Sequence, residues 1–242
     1  ATVGISHLTT SRQHLGKPAC RAIEKDGGYF VTGQSPWVTG ACGTTHLVVG
    51  AELPDGRQIL FAIASDTAGI TIPKGFNLVS LTASQTGPVK FENVFVDPSS
   101  LLTEPAEQVL TVSGLTSTGS TQTSALALGL ATSAVKFIER ESLHRPDLLA
   151  SAEALKEQQL VLRDRLLKIA SGIAAGTNEA LRTDMNSFAL RTTQASMAAA
   201  KGAGFVEGHP AGRWCCEALF FLVWSCPQAV IQANLCELAG IE

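Results

Sequence analysis

The sequence predicts an α+β protein in which an antiparallel, barrel-like β domain precedes an antiparallel four-helix bundle. Two observations lead to this prediction. The first part of the chain contains short runs of β-branched and aromatic residues that are separated by turn signals, as is typical of strands. From about residue 120 the apolar residues recur at helical spacing, and alanine, serine and threonine are abundant. We therefore predict a β domain over residues 1–102 and a helical domain over residues 103–242.

Turn signals between the apolar runs support the β domain. The runs with strand composition are YFVTG, HLVVGAEL, QILFAIA, GITI and VKFENVFV. Asp55–Gly56 separates the second run from the third and predicts a hairpin, and Asp26–Gly28 predicts another turn. Alternation along the last run predicts one buried face, which would be formed by Val89, Phe91, Asn93 and Phe95.

Apolar periodicity supports the helical domain. The first predicted helix ends before Pro146, and the second begins at Ser151, a residue type that caps helix N-termini. A third helix is predicted over LRTDMNSFALRTTQASMAAAKGAG, and the C-terminal segment supplies the last one or two. The apolar stripes of the first two helices are Leu126, Leu130, Val135 and Ile138, and then Leu155, Leu160, Leu162, Leu166 and Leu167.

Composition excludes several classes of function. A net charge of −3 over 242 residues gives no electrostatic basis for binding nucleic acid or an anionic membrane surface. The longest apolar run, ALFFLVW, is too short to span a bilayer. The six cysteines lack the spacing of a zinc site, so we expect no metal and a reducing, cytoplasmic location.

Three segments, in the same order along the chain, resemble the acyl-CoA dehydrogenase family. TGQSPWVTGACGTTHLVVGA is similar to the family's NGxKxWITNG segment, and SQTGPVKFENVFVDP is similar to its S-D-T…F-E-D-V-x-V-P strand. KGAGFVEGHPAGRWCCEA is similar to its G-G-x-G-F/Y-x-x-E-x-P-x-x-R-x-x-R-D-A pattern. Together these segments cover the β domain and the C-terminal helices, so the resemblance implies the family's middle and C-terminal domains.

The resemblance implies an FAD cofactor and residues that hold it. In this family the Trp and Thr of the W-I/V-T step lie against the flavin, and these residues correspond to Trp37 and Thr39 here. Trp37 would pack on the ring system, and Thr39 would bond the ring edge near N5. Val38, Ser6 and Arg145 are further candidates for contact with the cofactor.

The sequence departs from the family pattern where the catalytic base is expected. In many members the base that removes the substrate α-proton is a Glu, and its position is occupied here by Ser225. Some members place the base at the start of the first helix of the bundle, where Thr121 lies and no carboxylate is present. The catalytic residue is therefore unassigned; Glu217 is a candidate by charge alone.

Three functions remain open at this point. The first is an oxidoreductase that acts on the CH–CH bond of an acyl-CoA or related substrate. The second is a non-catalytic homologue that serves as a structural or pairing subunit, and the third is a flavin-dependent monooxygenase of the same fold. The family's N-terminal helical domain is not matched in this chain, and the resemblance implies a homodimer or homotetramer.

Overall fold

A computed structural model describes residues 1–9, 19–112, 121–173 and 175–241 of the chain. The chain divides into two compact units, Ala1–Thr116 and Ser117–Glu242, which we call the β unit and the helical unit. From the sequence we placed the boundary between the two family-like domains after residue 102. That boundary remains a prediction.

A seven-stranded sheet forms the β unit, and two short helices accompany it. The strands and helices are β1 (Thr2–Gly4), α1 (Ser6–Thr9), β2 (Cys20–Lys25), β3 (Gly28–Val38), β4 (His46–Glu52), β5 (Gln58–Ala64), β6 (Ile70–Thr71), β7 (Gly87–Val96) and α2 (Val109–Val112).

The sheet is mixed, and this corrects the prediction of an antiparallel, barrel-like domain. The strand order is β1-β4-β2-β3-β7-β6, with β5 on β4, and among the described strands the ends of this path do not join. β1 runs parallel to β4, and β2 meets β4 in parallel at the pair Arg21 and Glu52. The prediction failed because hairpin signals report only neighbouring antiparallel strands. Parallel strands are joined by long connections that leave no local signal.

Both predicted turns are confirmed. The hairpin at Asp55–Gly56 joins β4 to β5, whose register begins at the pair Glu52 and Gln58. The turn at Asp26–Gly28 joins β2 to β3. Asp26 and Gly27 both have positive φ, the backbone region that Asp and Gly adopt more readily than other residues.

One face of β7 differs from the prediction. Val89 and Phe91 are buried, but the buried positions then change to Val94 and Val96, and Phe95 is 43% exposed. The cause is an irregularity at Asn93, whose φ is 52° and which lies where the register with β3 shifts. A bulge inserts one extra residue, so every later side chain points to the opposite face of the sheet.

The core of the β unit is apolar and contains one deeply buried thiol. Cys20 is completely buried in β2, and desolvation raises the pKa of its thiol to about 12. Around it, Val31, Val49, Phe61, Phe91 and Val94 are at most 1% exposed.

Five helices of 11 or more residues build the helical unit within its described residues. α5 lies at the centre, since it packs against each of the other four. The predicted final segment forms two helices that are separated at Phe221–Pro227. The five helices are α3 (Thr121–Ser142), α4 (Leu149–Ala170), α5 (Asn178–Ala200), α6 (Pro210–Phe220) and α7 (Gln228–Ala239).

The start and the stripe of α4 are only partly as predicted. The helix begins at Leu149, directly after a 3₁₀ turn at Pro146–Leu148, so Ser151 is not its cap. Leu155 and Leu166 are buried, whereas Leu160 and Leu167 are more than half exposed. Among the described helices, none has the length and hydropathy that a membrane-spanning segment requires.

Candidate functional site

Two aromatic side chains lie together on the surface of the β unit. Trp37 is near the end of β3 and is 49% exposed, and Phe76, in the segment between β6 and β7, is 42% exposed. Their ring centroids are 5.0 Å apart and the ring planes are inclined by 55°. Large aromatic rings that remain half exposed present a flat apolar surface to a ligand.

Three hydroxyl groups, those of Thr39, Thr86 and Ser84, form a row in the same unit. Thr39 follows β3 by one residue, and its Oγ1 is 3.0 Å from the Oγ1 of Thr86. The Thr86 hydroxyl is in turn 2.9 Å from the Oγ of Ser84. The carbonyl of Thr39 accepts a hydrogen bond of 2.6 Å from the hydroxyl of Thr2. Thr39 is therefore held on two sides while its side chain remains exposed.

Backbone bonds fix the loop that carries these hydroxyls. Gly40 donates its N–H to the carbonyl of Ser84 at 2.9 Å, and Phe76 donates its N–H to the carbonyl of Thr86 at 2.8 Å. These bonds connect the end of β3 with the segment between β6 and β7, which carries Phe76, Ser84 and Thr86. The close backbone approach continues at Gly87, where an added Cβ would lie 3.0 Å from the Cα of Gly75.

Two residues of the segment between β6 and β7 have a strained backbone. Leu81 and Gln85 have φ values of 58° and 45°, in the left-handed region that side chains other than Gly, Asn and Asp seldom adopt. Gln85 is held there in part by its Oε1, which accepts a hydrogen bond of 2.7 Å from the thiol of Cys42. Strained residues persist only where surrounding contacts hold them, and they are common at binding sites.

The other predicted cofactor residues lie in different surroundings. Val38 is completely buried, so its side chain belongs to the core of the sheet. Ser6 is half-buried at the start of α1. Arg145 lies in the helical unit, where its Nη1 donates to the carbonyl of Ala199 at 2.6 Å and its Nη2 lies 3.2 Å from Asp147. The structure brings Trp37 and Thr39 together; it does not test their role in cofactor binding.

In the helical unit, Ser225 occupies the position expected for a base and lies in the turn between α6 and α7. It is exposed, and its φ is 44°. The sequence of this turn, FLVWSCP, contains no carboxylate. Glu217, the other candidate, lies on α6 and forms an ion pair of 3.5 Å with Arg213, one helical turn earlier.

A buried arginine that the sequence analysis did not single out supports this turn. Arg182 of α5 is 0% exposed, and its Nη2 donates to the carbonyls of Phe221 and Trp224 at 3.0 and 3.1 Å. Its Nε donates to Oδ1 of Asn186 at 2.9 Å. Within the described part of the chain Nη1 has no hydrogen-bond partner. Burial lowers the pKa of the Arg182 guanidinium from its ordinary value.

Two buried asparagines extend the network to α7. The Nδ2 of Asn186 donates to the carbonyl of Phe221 at 3.2 Å and to Oδ1 of Asn234 at 3.0 Å. Asn234 donates to the carbonyl of Thr183 at 3.1 Å. The thiol of Cys226 lies at the edge of this network, and burial raises its pKa while the charge of Arg182 opposes that rise. The carbonyls of Phe221 and Trp224 are thus bonded within the helical unit.

A signal for Arg182 was present in the sequence. The buried apolar residues Leu181, Met185 and Phe188 repeat at helical spacing, and Arg182 and Asn186 lie on the same side of α5, four residues apart. A charged and an amide side chain on a buried helix face predict an internal polar network. For Thr86 and Phe76 the sequence holds only the family-like SQT motif, and no residue spacing predicts their contacts with β3.

No group of three or more His, Cys, Asp or Glu side chains that could hold a metal ion is present in the described residues.

Known proteins resemble the chain in sequence over part of its length. It is 27% identical over 159 residues to a probable acyl-CoA dehydrogenase of Bacillus subtilis, over 64% of this chain and 42% of that protein. It is 31% identical over 87 residues to a benzylmalonyl-CoA dehydrogenase of Aromatoleum aromaticum, over 36% of this chain and 23% of that protein. An amino sugar nitrososynthase of Streptomyces rubradiris is 36% identical over 80 residues, 31% of this chain and 19% of that protein. The chain thus spans less than half the length of these relatives.

A solved structure matches nearly the whole chain. The acyl-CoA dehydrogenase of Geobacillus kaustophilus superposes with a TM-score of 0.82 at 14% identity, over 98% of this chain and 68% of that one. No protein-family model matches the chain. The resemblance predicted from the sequence is confirmed: the chain has the fold of the acyl-CoA dehydrogenase superfamily, and acyl-CoA dehydrogenases are among the curated proteins that it matches.

Proposed function

We propose that this chain is an acyl-CoA dehydrogenase-like flavoprotein oxidoreductase that holds FAD against a surface of its β unit. This surface consists of Trp37, Phe76, Thr39 and Thr86, and we call it the Trp37 edge. The observation that supports this proposal is the pairing of a half-exposed aromatic surface with an exposed hydroxyl. Trp37 and Phe76 offer a flat apolar face, and Thr39 offers a hydrogen-bonding group at its border. A flavin ring is flat, apolar on its faces and polar along its edge, so these side chains fit it.

Each residue would have a separate task in the proposed site. Trp37 would pack against the ring and exclude water from that side, and the Thr39 hydroxyl would bond the ring edge. Bound FAD would supply a hydride acceptor, which neither aromatic nor hydroxyl side chains provide. Arg145, the candidate in the helical unit, would contact the diphosphate or adenosine of an FAD that a neighbouring subunit holds.

The proposed substrate is an acyl-CoA or a related thioester that is oxidised at adjacent carbons of its acyl chain. The α-proton then needs a base within hydrogen-bond reach. Ser225 cannot act as that base without assistance, because an alcohol is a weak base at neutral pH. Glu217 is already paired with Arg213 on the same helix. The base therefore remains unassigned in this proposal.

A flavin-dependent monooxygenase is the second candidate function. Two observations favour it. Ser225 lies where the resemblance leads us to expect the catalytic base. The chain also matches, over 80 residues, an amino sugar nitrososynthase, a name that denotes oxidation of an amine to a nitroso group. A monooxygenase needs no base for an α-proton, so its activity would not depend on a carboxylate at position 225.

We also propose that the chain assembles as a homodimer or homotetramer and works in the cytoplasm. Leu160, Val161 and Leu167 of α4, and Leu235 and Leu238 of α7, are each more than half exposed. Apolar side chains exposed along helices are commonly covered by a partner. All six cysteines are free thiols, which fits a reducing compartment.

A visible absorption spectrum tests the proposed function. We expect the purified chain, after FAD has been added and the excess removed, to keep the flavin band at roughly 450 nm. Trp37→Ala should lose most of this band, whereas Phe205→Ala, which removes an aromatic ring that is 81% exposed in the helical unit, should keep it. A colourless parent chain would contradict the proposal.

The same sample separates the two candidate reactions. Addition of an acyl-CoA without oxygen should bleach the band if the chain is a dehydrogenase. If the band persists with acyl-CoA, but the chain consumes oxygen once the flavin has been reduced chemically, the monooxygenase proposal is supported instead.

A further inference from the structure

The hydroxyl groups of Ser84, Thr86 and Thr39 form a chain whose direction is not fixed by its heavy atoms. Each hydroxyl has one proton to donate and accepts through its lone pairs. The Thr86 hydroxyl lies 2.9 Å from that of Ser84 and 3.0 Å from that of Thr39. Because it has a single proton, it can donate to only one of these neighbours, and it accepts from the other or from both.

The direction of this chain decides what Thr39 offers at the surface. If Ser84 donates to Thr86 and Thr86 donates to Thr39, the proton of Thr39 is free for an external acceptor. If the order is reversed, Thr39 gives its proton to Thr86 and offers only lone pairs outward. The two orders differ by rotation of hydroxyl protons alone, so no heavy atom has to move.

We propose that Thr86 is a positioning residue that lets the Thr39 hydroxyl act as donor or acceptor toward the flavin edge, and this inference rests on the proposed function. The N5 atom of an oxidised flavin accepts a hydrogen bond, whereas in the reduced flavin it carries a proton and donates one. A hydroxyl that reverses its role meets both forms. Thr86 accommodates that reversal, because it bonds Thr39 in either direction and so holds the Thr39 oxygen in one place.

The surroundings of Thr86 keep its oxygen in place while the protons rotate. Its carbonyl accepts from the N–H of Phe76 at 2.8 Å, and the carbonyl of Ser84 accepts from Gly40 at 2.9 Å. The thiol of Cys42 bonds Gln85, the residue between the two hydroxyls. These bonds use backbone groups and the Gln85 side chain, so they leave all three hydroxyls available to one another.

An ordinary loop contact would have a different signature from a positioning role. If the Thr86 hydroxyl only stabilises the loop, its removal should lower stability and leave the flavin properties unchanged. If it positions Thr39, its removal should change flavin affinity and the midpoint potential, and that change should depend on the Thr39 hydroxyl. The two roles are separable in Thr86→Val, which keeps the shape of the side chain and removes its hydroxyl.

The test compares Thr86→Val, Thr39→Val and the double variant, with Thr86→Ser as the conservative replacement. We expect Thr86→Val to weaken FAD binding about five- to tenfold and to shift the flavin midpoint potential. Thr86→Ser should resemble the parent chain. In the Thr39→Val background, Thr86→Val should have no further effect on either quantity. Without flavin, denaturation of the parent chain, the two single valine variants and the double variant should show coupling between the two hydroxyls.

The control is Thr67→Val, because the Thr67 hydroxyl donates to the Ala64 carbonyl at 2.8 Å in the same unit. It should leave flavin affinity and potential unchanged. If the parent chain binds flavin and Thr86→Val behaves like the parent, or has the same effect with and without the Thr39 hydroxyl, the inference is overturned alone. If the parent chain binds no flavin, the proposed function fails, and the inference fails with it.

Discussion

The Trp37 edge of the β unit and the Phe221–Pro227 turn of the helical unit use polar groups in opposite ways. At the edge, the Thr39 hydroxyl is exposed and lies beside two half-exposed rings. In the turn, the carbonyls of Phe221 and Trp224 are bonded by the buried guanidinium of Arg182. The edge leaves its rings and the Thr39 side chain exposed, whereas the carbonyls of the turn are bonded within the helical unit.

The difference shows that polar groups serve separate purposes in the two units. The edge carries the family-like Trp and Thr, and the turn has a serine where the resemblance leads us to expect a catalytic carboxylate. The fold of a chain and the chemistry of its sites are therefore argued separately. Arg182 illustrates the role of the turn. Among the described residues its guanidinium donates hydrogen bonds to neutral carbonyl and amide oxygens and to no carboxylate.

The largest effect is expected from Arg182→Met in the turn. The substitution leaves the buried carbonyls of Phe221 and Trp224 without these donors, and we expect the free energy of unfolding to fall by about 2–4 kcal/mol. Arg163→Met, which changes an exposed arginine of α4, should alter it by less than about 0.5 kcal/mol. Urea denaturation measures both. Equal losses would show that the network at the turn adds nothing to stability.

A smaller effect is expected from Phe76→Ala at the edge. Loss of one ring of the aromatic pair removes about 1 kcal/mol of stacking, so FAD affinity should fall about fivefold. The matched control is Phe95→Ala, because Phe95 and Phe30 form a similar pair at 5.3 Å and 56°. Titration followed by flavin fluorescence measures both affinities. A comparable loss in the control would mean that the effect comes from the sheet as a whole.

The smallest effect is expected from Ser225→Gly. Its φ of 44° is unfavourable for a residue with a Cβ, so glycine should raise the free energy of unfolding by about 0.5–1 kcal/mol. Ser151→Gly, in the exposed part of α4, should lower it by a similar amount, because glycine is unfavourable inside a helix. Thermal denaturation measures whether each variant is more or less stable than the parent chain. If both variants are destabilised, the turn does not carry the strain that its backbone indicates.

Features set by neighbouring residues were predictable from the sequence, and features set by distant pairs were not. The hairpin at Asp55–Gly56 depends on local turn chemistry, and its prediction is confirmed. The parallel pairing of β1 with β4 joins residues such as Thr2 and Leu47, and it leaves no trace in either segment. The bulge at Asn93 reversed the buried face of β7, because one backbone conformation changes every later position.

The candidate site divides in the same way. The grouping of Trp37 with Thr39 follows from their closeness in one strand and its end. The partners that complete the edge come from a loop 39 to 47 residues further along the chain. Sequence spacing does not predict them, because their approach depends on how β3 and β7 pair. The roles of Ser6, Val38 and Arg145 in cofactor binding remain predictions.

The burial of Cys20 makes its thiol a natural reporter of the opening of the sheet. Its thiol is fully buried with a pKa of about 12, so almost none of it is thiolate at neutral pH, and alkylating reagents cannot reach it while β2 stays paired. Cys42 is exposed, with its thiol bonded to Gln85, and provides a reference rate in the same molecule. The ratio of the two labelling rates therefore reports how often the sheet opens in its native state, without denaturant.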